Sequence, residues 1–454
     1  MMVVSRMCNI MKNMNLSVLK NIMLGAVLVV VPAVSEGQNI TLRQCLEKGL
    51  ENNYSMRVVR NEQQAAENNA TRANAGQLPV VSATAGYNGG LSNRSTVARD
   101  GAATDDRNFL DHSLSAGINA EWTIFDGFKL EADYNRLREL KLQSETQTRI
   151  AVEDYIAELT AEYYNFVQQR IRMRNLNYAV RLSKERLRIV QERYIIGNNS
   201  RLDLQQAQVD FNADSAQSLK QRETLASSRI RLRRLMAERD MNDWLSVADT
   251  AIFVGQSLSF DSLWNSTQQH NSAIINAAHN HTLAEIDRKS IRSRDYPYIK
   301  LSAGYGYSMN QYAIGSTKRR HEWGADFGLT VGIKLFDGKR KSQMRNARLA
   351  VENAELRQQD LELSLYADLC DLWQAYENNH RLLALERQNL VSARENYYIA
   401  HERYLLGDLS GIEMREAQKS LLDAEERLLE AQYNTKICEI SLLQISGDVT
   451  SYLQ

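Results

Sequence analysis

Hydrophobic and polar residues alternate in four segments, most weakly in the first, which predicts four β-strands. In the last of them, the odd-numbered positions from Trp323 to Leu335 are all apolar, and the positions between them are glycine or polar. One apolar face and one polar, glycine-rich face over about nine to fifteen residues is typical of a transmembrane strand. A soluble, half-buried hairpin would give the same pattern in any single segment. The predicted strands are about 80–92, 113–125, 298–310 and 322–336.

Long helical patterns follow the strands. Neither proline nor glycine interrupts the chain from Gly127 to Glu192 or from Lys339 to Leu406. Helices of that size are about 100 Å long, far more than a bilayer needs. In the second, Gln358 and Asp368 interrupt an apolar heptad seam and charges crowd the other positions, which favours a solvated coiled coil or helical tube. The seam is Val351, Ala354, Leu361, Leu365, Leu372 and Ala375.

The same landmarks occur twice in the same order, which indicates a tandem duplication. The stretch "PVVSATAGY" returns as "PYIKLSAGY", and "WTIFDGFK" returns as "IKLFDGKR". The stretch "ERYIIGNNSRLDLQQAQ" from Glu192 returns 210 positions later as "ERYLLGDLSGIEMREAQ" from Glu402. The first copy has seven more residues between its proline and its "FDG", so that connection is predicted to be a variable surface loop. The predicted divisions are a signal peptide at 1–35, a first structural repeat at 36–247 and a second at 248–454.

Glycines mark both ends of each long helix. At the predicted strand-to-helix turns, glycine permits the turn and aspartate can cap free helix N–H groups. At the far ends, Gly197 and Gly407 follow apolar pairs and are predicted to be left-handed helix ends. Second helices are expected to start near Leu202 and Ile412, which gives hairpin tips at about 195–204 and 405–414. The turn residues are Asp126, Gly127, Asp337 and Gly338.

The N-terminus has the pattern of a secretory signal. Three cationic residues precede a short apolar run from Ile22 to Val31, which is followed by Pro32 and small residues. The run is too short for a membrane anchor. Removing 1–35 would leave three widely spaced cysteines, Cys45, Cys370 and Cys438, which predict neither a disulfide framework nor a zinc site but unpaired core residues.

The rest of the composition excludes several functions. The net charge of zero argues against a nucleic-acid partner. No catalytic, phosphate-binding or metal motif occurs, so neither an enzyme nor a cofactor is predicted. His279 and His281 do not share a helix face at a spacing of two, and a solvated pair is expected.

Four membrane strands cannot close a barrel, because at least eight are needed and an open edge in lipid leaves backbone groups unsatisfied. The chain must therefore pool strands with copies of itself. Two chains would supply eight strands and three would supply twelve.

These motifs together resemble the TolC-like outer-membrane efflux protein family over essentially the whole mature chain. The matching features are the duplicated tips, the "FDG" turns and the terminal "SLLQISG". The resemblance implies a mixed α and β membrane protein: a homotrimer whose twelve-stranded barrel continues into a helical coiled-coil tunnel in the periplasm. It implies a passive conduit of a tripartite efflux or type I secretion system, with outer-membrane lipid, a periplasmic adaptor and an inner-membrane pump as partners. The tip residues that the family would use for adaptor docking are Gly197, Ser200, Leu202, Gly407, Ser410 and Ile412.

The same resemblance places Asp203, Glu413 and Glu416 at the family's periplasmic constriction. Threefold symmetry would make each a ring of three carboxylates and thus a cation-selective barrier. The alternative is that they are solvated carboxylates at helix starts, favoured by the helix dipole.

Two further alternatives stay open. Arg193, Arg201 and Arg403 could contact an adaptor or pair with neighbouring glutamates four residues away. The whole chain could instead be a non-transporting periplasmic scaffold or adhesin with soluble hairpins. Heat-modifiable oligomers in outer-membrane fractions would support the conduit, and a soluble periplasmic monomer would support the scaffold.

Overall fold

The computed structural model describes residues 39–242, 245–255 and 258–453. The predicted signal peptide at 1–35 lies outside the described residues. All elements below belong to one compact unit made of 40–243 and 247–454, and the described residues of the second unit are Asn39, Leu245 and Ser246.

The order of elements in the first half of the chain recurs in the second: two helices, two strands, one very long helix and one shorter helix. The first half contains α1 (Leu42–Asn52), α2 (Tyr54–Asn69), β1 (Val80–Val97), β2 (Ala103–Phe125), α3 (Lys129–Ile195) and α4 (Arg201–Leu235). The second half contains α5 (Phe260–His270), α6 (Ser272–Arg292), β3 (Tyr298–Gln311), β4 (Arg319–Gly332), α7 (Gly338–Leu406) and α8 (Gly411–Ser446).

The four predicted strands form one antiparallel sheet in the order β1-β2-β3-β4. Register brings apolar residues together on one face: Trp122 pairs with Leu301, which pairs with Leu329. Small residues meet on the other face, where Gly117 pairs with Gly306. Apolar side chains on the first face are left uncovered, and Phe327 is 83% exposed. The predicted alternation is confirmed, and β1 and β4 are the two edges of the described sheet.

Several strand boundaries differ from the prediction. The first hairpin is longer than expected, because β1 runs to Val97 and β2 begins at Ala103. The extra residues of the first copy therefore extend paired strands instead of forming a variable loop. In contrast, β4 ends at Gly332 and not at 336. Gly332 pairs with Tyr298, the first residue of β3, so β3 has no residue left to pair with later positions of the chain.

Both long helices are continuous, as predicted, with 67 residues in α3 and 69 in α7. The buried positions of α7 differ from the predicted seam, whose members are only half-buried. Four of the buried positions of α7 are spaced seven residues apart, where α7 packs on α5 and α8. These positions are Leu369, Tyr376, Leu383 and Leu390. Among the described helices, none is long and apolar enough to cross a membrane.

Short helices form a second layer on the long ones. On α1, a Cβ at Gly49 would meet the hydroxyl of Tyr155 on α3, so only glycine allows this close approach. On α5, Leu263 packs with Leu369 of α7, and the ring of Trp264 contacts Tyr366 edge-on at 4.9 Å. Each long helix is therefore covered on one side by short helices, α1 on α3 and α5 on α7.

The two strand-to-helix turns are not equivalent. Gly127 has a φ of +73°, and a Cβ there would lie 2.2 Å from the carbonyl oxygen of Ser293, so glycine is required. At the second turn, the Asp337 side chain accepts a hydrogen bond from the Lys339 N–H at 3.1 Å, as expected for a cap. Gly338 is already the first residue of α7 and is not left-handed, so the prediction that glycine permits this turn is wrong.

The three cysteines are free, as predicted. Cys45 is fully buried, and this burial raises its pKa to about 12, so the thiol stays protonated. Cys370 and Cys438 are only partly covered. These residues act as small packing groups.

Candidate functional site at the helical tips

Each long helix ends in a left-handed glycine, as predicted. Gly197 has a φ of +83° and Gly407 a φ of +87°. The chain then reverses and the next helix starts at Arg201 in the first tip and at Gly411 in the second, one residue before the predicted starts. No atom lies within 4 Å of a Cβ added at either glycine, so only the backbone conformation demands glycine.

A reciprocal capping box starts the second helix of each tip. The Ser200 hydroxyl accepts from the Asp203 N–H at 3.1 Å, and the Asp203 carboxylate accepts from the Ser200 N–H at 2.9 Å. Ser410 and Glu413 repeat this arrangement at 3.2 and 3.0 Å. These bonds satisfy N–H groups that a helix start leaves free.

Of the acidic residues predicted at the mouth, Asp203 and Glu413 belong to capping boxes and Glu416 does not. Hydrogen bonds from Ser410 lower the pKa of Glu413, so its carboxylate is ionised at neutral pH. Glu416 follows one turn later and is exposed. Glu413 is a helix-start carboxylate, as the alternative interpretation expected, and this does not conflict with a position in a ring.

Apolar side chains surround the two reversals and are left uncovered. The apolar pair before each glycine and the apolar residue two positions after each capping serine are all exposed, which leaves an uncovered apolar patch at each tip. They are Ile195, Ile196, Leu202, Leu405, Leu406 and Ile412.

One arginine joins the two tips. Arg193 donates to the carbonyl oxygens of Tyr404 and Leu405 at 2.9 and 3.2 Å, and its guanidinium lies 5.0 Å from the Tyr404 ring centroid. Arg403, its counterpart 210 positions later, bonds instead to the carboxylate of Asp408 in its own loop at 3.2 Å. Arg201 is exposed. The sequence left two expectations for these arginines, an adaptor contact or pairing with glutamates four residues away. Arg193 and Arg403 do not form the glutamate pairs.

A charge network farther from the reversals ties α3, α4 and α8 together. The Arg186 guanidinium contacts the Asp210 carboxylate at 2.6 Å and the Gln418 side-chain oxygen at 3.2 Å. The Arg415 guanidinium donates to both oxygens of Asp214, each at 2.8 Å. Such two-pronged arginine–carboxylate pairs fix orientation as well as charge.

Sequence reasoning missed this network. Burial lowers the pKa of Arg186, and the hydrogen bonds that Arg415 donates to Asp214 raise the pKa of Arg415. The available signal was a break in the repeat, because the counterparts of the four charged residues 210 positions away are neutral. Those counterparts are Asn396, Ser420, Ala424 and Gln205.

His279 is not part of a solvated pair, so that prediction is wrong. Its Nδ1 lies 2.7 Å from a carboxylate oxygen of Glu139, and its Nε2 lies 3.2 Å from the hydroxyl of Thr146. Both partners are on α3, because α6 packs along that helix. Among the described residues, no group of three His, Cys, Asp or Glu could hold a metal ion.

Comparison with known proteins identifies the architecture. The model of the outer membrane efflux protein family matches residues 45–238 and 263–448. The chain belongs to the outer membrane efflux protein family. The protein is therefore a channel of the outer membrane that serves efflux.

Individual relatives cover nearly the whole chain. The chain is 22% identical to the outer membrane protein TolC of Vibrio cholerae, over 90% of this chain and 91% of that protein. It is 22% identical to the outer membrane efflux protein BepC of Brucella suis, over 94% and 89%. The solved CmeC outer membrane channel of Campylobacter jejuni has the same fold, with a TM-score of 0.72, 17% identity, and coverage of 90% of this chain and 85% of that chain.

Proposed function

We propose that three copies of this efflux protein pool their sheets into a twelve-stranded barrel that continues into a helical tunnel. The observation that carries the proposal is a four-stranded sheet with two free edges and one uncovered apolar face. Such a sheet satisfies its edge groups in lipid only by pairing β1 of one copy with β4 of the next. The two ranges matched by the family model support a duplicated organisation.

The tips form the periplasmic mouth of this conduit and bind the hairpins of a periplasmic adaptor. Leu202 and Ile412 are exposed beside the left-handed glycines, and an apolar partner surface would cover them. An inner-membrane pump supplies cargo through the adaptor, as in tripartite efflux or type I secretion, and the channel itself is passive.

The carboxylates at the mouth select cations. Asp203, Glu413 and Glu416 each become a ring of three under threefold symmetry. Glu413 and Glu416 are one turn apart, so their rings stack along the mouth.

The barrel is tested by one pair of variants. Leu329 is uncovered on the apolar face, and Thr330 points to the polar face. Leu329→Arg should weaken assembly by about 2–4 kcal/mol if the residue lies near the bilayer midplane, whereas Thr330→Arg should assemble normally. Heat-modifiable oligomers in outer-membrane fractions are the measurement, and the reverse result would show that the sheet faces are assigned wrongly.

A further inference from the structure

Cations are concentrated at the second strand-to-helix junction. The stretches 288–295 and 338–348 contain nine Lys or Arg residues and one acidic residue, in a chain whose net charge is zero. The corresponding stretches of the first copy, 70–77 and 127–137, contain three basic and two acidic residues. The duplication therefore does not account for the charge.

Most of these cations lack a partner. Seven of the nine line a groove of about 920 Å³ between α6 and α7. Arg340 pairs with Asp295, and Arg288 lies 3.5 Å from Glu285. Within the described residues, no carboxylate is within salt-bridge distance of the remaining five. These are Lys289, Arg292, Lys341, Arg345 and Arg348.

The groove lies directly beside the sheet. It begins in the first turn of α7, and Arg348 lies about 15 Å along the helix at 1.5 Å per residue. The linker from β4 to α7 carries Leu335 and Phe336, which are 92% and 90% exposed. Uncovered apolar residues next to uncovered cations match the border between acyl chains and headgroups.

The groove opens on the same side of α7 as the second layer. Arg348 and Tyr366 are 18 residues apart, which is five turns of an α-helix, so they share a face. Tyr366 contacts α5 through Phe260 and Trp264. A second layer inside a conduit would obstruct it, so this side is the outside of the tunnel.

We propose that the groove binds the phosphate of anionic phospholipid headgroups in the leaflet that faces the helices, with the acyl chains against Leu335 and Phe336. The inference rests on the membrane position of the sheet under the proposed function. Juxtamembrane clusters of four to eight Lys and Arg residues attract anionic lipid in this way. The site would hold the second structural repeat of each chain at a fixed depth in the membrane. The first repeat would have no such anchor.

The test uses the full mature protein, purified as its oligomer in a neutral detergent. Native mass spectrometry would count bound phosphatidylglycerol and, separately, zwitterionic phosphatidylethanolamine, with inorganic phosphate as competitor. We expect phosphatidylglycerol to bind preferentially. Arg292→Gln/Arg345→Gln/Arg348→Gln should weaken that binding roughly tenfold or more.

The matched control is Arg381→Gln/Arg387→Gln/Arg394→Gln, which removes the same charge from exposed positions of α7 at least about 65 Å from its start. It should bind lipid like the wild type. Equal binding of the two lipids, or equal losses in both variants, would overturn the proposal. Full displacement by millimolar phosphate would assign the groove to soluble anions instead.

Two further results are distinguishable. Loss of the oligomer in the groove variant alone would place the cations at a contact between copies and overturn the lipid assignment. Failure of the wild type to form heat-modifiable oligomers would contradict the proposed barrel and not the groove.

Discussion

The first and second hairpin tips share a backbone design but differ in the partners of their side chains. Both have a left-handed glycine and a serine-based capping box at matching positions. Arg193 reaches across to the second tip, whereas Arg403 closes its own loop. The buried pair made by Arg186 and the partly buried pair made by Arg415 have no counterpart in the other copy. Local backbone signals are therefore kept in both copies. In contrast, the charge network of Arg186, Asp210, Asp214 and Arg415 uses residues whose counterparts in the other copy are neutral.

The largest effect is expected from breaking the cross-hairpin network. The Arg186 side chain is 6% exposed, so Arg186→Leu leaves Asp210 without its close partner in a covered site. Losing one member of a buried pair typically costs about 3–5 kcal/mol. We expect a clear fall in the thermal midpoint of the purified oligomer.

The control for this change is two residues away on the same helix. Among the described residues, Arg188 pairs only with the exposed carboxylates of Glu185 and Glu192, so Arg188→Leu should leave the midpoint unchanged. Equal shifts for the two variants would mean that the buried Arg186 pair contributes no more to stability than the exposed Arg188 pairs.

A smaller effect is expected from straining a helix end. Gly407→Val forces a β-branched residue into the left-handed region, at a cost of roughly 1–3 kcal/mol confined to the tip. The oligomer should reach the membrane, but export and adaptor crosslinking should fall. Gly407→Asn tolerates this conformation and should retain export. Full export with normal crosslinking in the valine variant would count against docking at the tips.

The capping boxes should contribute equally to the two tips. Ser200→Ala and Ser410→Ala each remove one cap, which typically costs about 1 kcal/mol. Amide hydrogen exchange of the first turns of α4 and α8 should rise by similar factors. Because the pKa of Glu413 is lowered, its bond is present above the ordinary value of 4.5 and lost as pH falls through the depressed value. After correction for the intrinsic pH dependence of amide exchange, protection at the second tip should therefore stay constant from neutral pH down to about 4.5.

Neutralising the carboxylates at the mouth should have the smallest effect on stability but a large effect on ion conduction. Glu413→Gln with Glu416→Gln keeps the capping box, because glutamine also caps, and removes six charges from a trimer. The wild-type channel should be cation-selective and blocked by multivalent cations from the periplasmic side. The double variant should lose both properties, as read from reversal potentials in a salt gradient. An unchanged reversal potential would mean that these carboxylates are solvated helix-start charges and do not determine ion selectivity.

Local sequence signals predicted most of the fold. Alternation located all four strands, and the absence of proline and glycine located both long helices within about three residues at each end. The boundaries that failed depended on a partner: β4 stops where β3 begins, and β1 and β2 lengthen by pairing with each other. The prediction that the second strand-to-helix turn needs its glycine was wrong, because only the first turn, at Gly127, packs against the Ser293 backbone.

The sequence by itself determined the elements, the repeated tips and the amphipathic sheet, because period, capping residues and glycine act within a few residues of the chain. Only the tertiary structure decided which faces are covered. Leu369 and Tyr376 are buried beside the predicted seam, since α5 adds a second layer there. Arg186 finds Asp210 and Gln418 at separations of 24 and 232 residues, and His279 finds Glu139 at 140. Such partners are fixed by how helices align in space, and no local pattern in the sequence records that alignment.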